Sequence, residues 1–170
     1  LEAEHRPASR VRGTFGFQIG GREFSAIGEE AVVPHSDGDQ LAFFIFEELN
    51  ARSARYQLGA RIERQSHVAR GARSTDHVGL SLSAGAYLAV AEKLTLSLSA
   101  SRSQRLPVSA ELYSNGPHLA TNSYDIGDTS LEVETAYSLD LSARLRSDHV
   151  NGELTWFVNA FDRFIFQDDT

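Results

Sequence analysis

The sequence predicts an all-β chain, an antiparallel up-and-down meander of the kind that builds a transmembrane β-barrel. Three observations carry this. Most of the chain alternates apolar and polar residues with period two, the pattern of strands with one apolar face. The connections between the alternating stretches run short, long, short, long from Pro7 to Asn151. The third is that no apolar run approaches the roughly 18 residues a membrane-crossing helix needs, so strands must do any crossing.

In chain order, Leu1–Arg6 alternates and Pro7–Ser9 breaks it, which predicts a strand and a tight turn. Val11–Ile19 sets Val11, Gly13, Phe15, Phe17 and Ile19 against Arg12, Thr14, Gly16 and Gln18. Gly20-Gly21 opens a long loop to Gln40, and Leu41–Leu49, rich in Phe, reads as a strand. A turn at Asn50–Ala54 leads to the alternating Tyr56–Ile62, followed by a polar loop over Gln65–His77. Val78–Val90 and Leu94–Ala100 flank the Glu92-Lys93 turn as the clearest hairpin in the chain. Arg105–Glu134 then interrupts all periodicity: Pro107, Asn115-Gly116-Pro117 and Gly127-Asp128 prevent any one helix or strand from running through it. Loops of this length are uncommon in compact domains and tend to be functional or disordered, and Leu112, Tyr113, Leu119, Tyr124 and Ile126 make this one too apolar for a solvated tail. Tyr137–Leu145 alternates again, Asn151-Gly152 marks a hairpin turn, and the aromatic Glu153–Phe166 is expected to contain a bulge or face change near Asn159–Phe161.

Composition narrows function. A net charge of -7, with both signs interspersed, argues against a nucleic-acid partner. With no cysteine there is no disulfide, thiolate zinc site or cysteine nucleophile. No charged-then-apolar leader stands at Leu1. Ser81 and Ser83 lie in GLSLSAG, which is not a nucleophile elbow, and no phosphate-cradling loop is present, so an enzyme is not expected. Alternation alone suits a transmembrane barrel and a soluble β-sandwich interaction module equally. Short turns gathered at one end and long loops at the other favour the barrel. A barrel hydrolase using a Ser–His pair is a third reading, which no recognisable motif supports.

Three stretches also carry a resemblance: FSAIGEEAVVP at Phe24–Pro34, Ser101–Asp128 with LEVE at Leu131–Glu134, and FVNAFDRFIF at Phe157–Phe166. The middle one is specific, with Arg-x-Pro, Glu-Leu-Tyr, Gly-Pro-His-x-Ala-Thr and Ile-Gly-Asp in order. Together they resemble the β-barrel of a TonB-dependent outer-membrane receptor, most closely the branch associated with zinc or haem uptake. The resemblance implies a bacterial outer-membrane location, contact with lipid, and TonB-driven uptake of a metal or metal chelate such as zinc, haem or a siderophore, with zinc or haem as cargo and no resident cofactor. It also implies a plug domain and about twenty-two strands. Residues 1–170 then form a single segment lacking the plug and the remaining strands, starting in mid-strand at Leu1 and without a terminal aromatic strand end at Thr170.

Candidate ligand contacts are loop residues. His35, His67, His77 and His118 fall in the long loops, near Glu29, Glu30, Asp37, Asp39, Asp76, Glu111 and Asp125, and imidazole with carboxylate is a zinc ligand set. His118, fixed by the specific stretch, is the expected metal ligand; Glu111, Asp125, His35, Glu29 and Glu30 are the accompanying substrate contacts. Single histidines in polar loops are more often solvated than ligating. The charged residues Arg55, Arg61, Glu63, Asp140, Arg144 and Arg146 are expected on the lumen side, and Tyr56, Tyr137, Trp156, Phe164 and Phe166 in interfacial girdles.

Overall fold

A computed structural model describes residues 1–28, 32–118 and 123–167, all but Ala8 and His118 with their side chains. Its strands are β1 (Glu2–Ala8), β2 (Val11–Phe24), β3 (Ser36–Asn50), β4 (Ala54–Ala69), β5 (Thr75–Ala91), β6 (Leu94–Arg105), β7 (Asn115–His118), β8 (Ser123–Ile126), β9 (Glu134–Arg146) and β10 (Asn151–Asp162), with one short helix, α1 (Ser109–Tyr113). Eight strands form one antiparallel sheet in the order β1-β2-β3-β4-β5-β6-β9-β10, and β7-β8 is a separate hairpin. Among the described residues the only other sheet is that two-stranded hairpin, too small to be the second layer of a sandwich, which overturns the sandwich reading.

The ladder explains which face does what. Phe17, Phe43, Ile62 and Leu80 stand side by side across β2 to β5, as do Leu98, Leu141 and Trp156 across β6, β9 and β10. The first four are each 42% to 50% exposed, part of a contiguous apolar surface that would drive a water-soluble protein to associate and that a bilayer solvates. The opposite face is polar and internally paired. Arg12 Nε and Gln57 Nε2 donate to Glu48 at 2.8 and 3.0 Å, Arg61 Nε to Glu63 at 2.8 Å, Ser99 Oγ to Asp140 at 3.1 Å and Arg144 Nη2 to Glu153 at 2.8 Å.

Several boundaries differ from the sequence reading, for physical reasons. β2 continues through Gly20-Gly21 to Phe24 because the ladder Gly20↔Gln40 to Phe24↔Ser36 is unbroken, and this outweighs the weak strand preference of glycine. The polar stretch expected as a loop at Gln65–His77 is mostly strand, with only 70–74 between β4 and β5. A bilayer crossing takes about 9–11 residues. At 16 and 17 residues, β4 and β5 project beyond it, where both faces are wet and the alternation fades. Pro7 lies within β1, beside a register shift between His5 and Ala8; an edge strand tolerates its missing donor. The expected bulge near Asn159–Phe161 is absent: β10 pairs with β9 in unbroken register from Asn151↔Arg146 to Asp162↔Thr135. Its aromatics lie on both faces, Trp156 beside Leu141 and Phe157 beside Asp140, which mimics a face change in sequence.

Candidate functional site

At the long-loop end the apolar band stops abruptly. Outward of Ile19 and Leu41 the same face carries Glu23 and Asp37, which pair across β2 and β3, and on β4 and β5 it carries the Arg64–Asp76 ion pair. Above this line the described parts of the 105–134 segment, 105–118 and 123–134, form a lobe that turns inward over the polar face. Leu106 and Pro107 are buried as the chain leaves β6, and α1 then buries Leu112 and Tyr113 against Ala69. Five residues cannot sustain a helix alone, so packing and end contacts hold it. Glu111 Oε2 accepts from the Val108 amide at 2.9 Å while Arg105 Nη1 donates to the same carboxylate at 2.9 Å.

Tyr113 fixes the lobe to the wall. Its hydroxyl is 3.0 Å from the His67 carbonyl, 3.1 Å from the Arg73 carbonyl and 3.1 Å from Thr75 Oγ1. Ser109 Oγ lies 3.0 Å from His67 Nδ1, and His77 Nε2 lies 2.9 Å from the Leu131 carbonyl. The lobe also holds the β2–β3 connection, since the Asn115 amide donates to the Val32 carbonyl at 2.7 Å. Gly127 passes so near that an added Cβ would lie 2.6 Å from the Tyr113 nitrogen, which leaves glycine as the residue that fits.

Between lobe and wall lies a cavity of about 450 Å³. Its wall side is Gly20, Arg22, Phe24, Gly38, Gln40, Gln65 and His67, and its roof is Val108, Ser109 and Ala110. All the strand residues named point to the polar face, so the cavity opens on the lumen side. His67 is only 5% exposed. Burial, and after it the nearby His77, hold its imidazole below the usual pKa; a backbone group of Pro107 works weakly the other way.

The expected ligand contacts are dispersed. Glu111 is committed to Arg105 and the start of α1. Asp125, on β8, accepts from Ser123 Oγ at 3.4 Å and Gln167 Nε2 at 3.2 Å. Glu29, Glu30 and the side chain of His118 lie outside the described residues. His35 does gain carboxylate neighbours: its Nε2 is 3.9 Å from Glu23 and 3.8 Å from Asp37. Among the described residues these three form the only group of metal-ligating side chains close enough to share an ion, and Glu111 and Asp125 are outside it. Glu23 was missed by sequence because it lay in an expected loop; continuing the β2–β3 register past Gly21 would have placed it opposite Asp37.

An apolar lipid-facing band, a polar inner face, tight turns at one end and a folded lobe over the inner face at the other define the wall of a transmembrane β-barrel. Residues 6–170 match the family model described as TonB dependent receptor-like, beta-barrel. The chain therefore belongs to the TonB-dependent receptor family, whose barrels lie in the bacterial outer membrane and serve transport rather than catalysis.

Proposed function

We propose that this wall belongs to a receptor that captures a metal chelate, such as haem or an iron–siderophore, from outside and imports it with energy from the TonB system, through a plug domain held in the lumen. The cavity beneath the lobe carries this reading. At about 450 Å³ it falls within the range of small-molecule sites, and it combines apolar Phe24, Val33 and Val108 with Arg22, Gln40 and Gln65, a mixture suited to an anionic organic chelate. β1 and β10 are the edges of the sheet, and unpaired backbone groups in lipid cost several kcal/mol each, so a closed barrel is the arrangement in which both edges are paired. The test is chelate binding by the full-length receptor with Ala110→Trp, which fills the cavity from its roof. Loss of binding with an intact barrel is expected; wild-type affinity in the variant excludes the cavity.

A second reading, direct capture of zinc, is favoured by Glu23, His35 and Asp37. These side chains belong to the outward face above the lipid band, away from the cavity, and so suit a first encounter at the rim rather than passage. His118, Glu29 and Glu30 are the further ligands this reading proposes. Calorimetry with zinc on His35→Ala and His118→Ala receptors tests it, and an affinity unchanged in both removes the reading.

A further inference from the structure

His67 and His77 occupy diagonal positions on the inner face of adjacent strands, His67 opposite Thr75 and His77 opposite Gln65. Each uses one ring nitrogen to reach the lobe, at Ser109 and at Leu131. The remaining nitrogens, Nε2 of His67 and Nδ1 of His77, are buried without a hydrogen-bond partner among the described residues. Two unpartnered nitrogens are tolerable only while they are uncharged lone pairs or one neutral N–H; a proton on either adds a buried charge with nothing to accept it.

We propose that the lobe docked through α1 is a proton-sensitive latch, closed while the His67 imidazole is neutral and released from the wall when mildly acidic conditions protonate it, which uncovers the cavity beneath.

The surroundings offer the imidazolium little compensation. From the lobe, His67 meets the Ser109 hydroxyl and Pro107; from β3 it meets Gly38, whose missing Cβ would lie 2.9 Å from Nδ1; from β5 it meets the His77 ring, which also disfavours its charged form. The carboxylates on these elements have other partners: Asp76 pairs with Arg64, Glu111 and Glu134 with Arg105, and Asp37 stands beside His35. Asp39, opposite Gly21, belongs to the outward face with Asp37, across the sheet from the inner face that carries His67. The sign follows from linkage. The docked state holds the His67 pKa down, so docking is complete above the ordinary imidazole value of 6.5 and weakens as pH falls below it, by up to about tenfold per pH unit. Whatever the cargo, this latch acts on the lobe alone, so its failure and the failure of the chelate reading show up in different measurements.

The test is amide hydrogen exchange by mass spectrometry on the full-length receptor in micelles, from pH 7.5 to 5.0, corrected for the intrinsic pH dependence of exchange. Protection of residues 106–118 should fall by up to about tenfold per pH unit below about 6.5 while β3 and β4 stay protected. His67→Asn with His77→Gln, which imitate the nitrogens in use, should keep the lobe protected at pH 5.0. A flat wild-type profile, or the same loss in the double variant, overturns the latch. If the double variant is undocked at every pH, the wild-type profile decides: a loss that sets in above about 5 upholds the latch, and one that sets in only below about 5, where carboxylates titrate, overturns it.

Discussion

Replacing Tyr113 with Phe keeps the ring that packs on Ala69 and removes only the hydroxyl that reaches the wall. Tyr113 is 4% exposed, and its oxygen lies within 3.1 Å of two carbonyls and Thr75 Oγ1. With one proton it donates to one carbonyl at a time and accepts from Thr75. Its loss leaves buried acceptors short of a partner, which costs about 1–3 kcal/mol. That converts to a lobe-opening equilibrium raised by roughly 5- to 150-fold, since about 1.4 kcal/mol is a factor of ten. Hydrogen exchange of residues 109–113 at pH 7.5 in the intact receptor reads this directly. Protection lost in that segment alone is expected. Unchanged protection would refute the reasoning that this hydroxyl anchors the lobe, and loss spread through β3 and β4 would mean it supports the whole wall.

Other outcomes follow from the same geometry. Leu98→Arg, on the lipid face near the middle of the apolar band, should destabilise the folded barrel by about 2–4 kcal/mol in vesicle-based urea unfolding, whereas Ser99→Arg on the polar face should change it far less. Gly127→Ala forces a Cβ against the Tyr113 backbone and should cost roughly 1–3 kcal/mol of lobe docking, read as lost protection of 109–131. Asp128 accepts from the Ser130 amide at 2.7 Å and the Ser130 hydroxyl at 2.6 Å, bonds that hold its pKa below the usual 3.8. Its contribution is therefore complete above about 3.8 and lost as pH falls through the lowered value, so the 128–131 turn should loosen only in strong acid, and Asp128→Asn should remove that pH step in exchange measurements.

The strands were legible wherever one face meets lipid, because period two needs an apolar face to be visible: Phe15, Phe17 and Ile19 announced β2, and Leu94, Leu96 and Leu98 announced β6. The same reasoning hid the strand ends. Past Ile19 and Leu41, and past Ile62 and Leu80, both faces meet water or the lobe, and only the hydrogen-bonded ladder continues. His67 and His77 therefore read as solvated loop histidines, while their burial comes from Pro107, Ser109 and Leu131, distant in sequence and brought near by the fold. The family address of the 105–134 segment was legible from its own residues, but its role as an inward-docked lobe depends on contacts no local pattern contains.

The central claim is that one face of this sheet meets lipid and the other an aqueous lumen, and cysteine scanning of Leu41–Phe46 tests it most directly, because the chain itself has no cysteine. In the full receptor in vesicles, spin labels at Leu41, Phe43 and Ile45 should be broadened by oxygen, and those at Ala42, Phe44 and Phe46 by a water-soluble nickel chelate. Equal accessibility at all six positions, or alternation of the opposite sign, would contradict it.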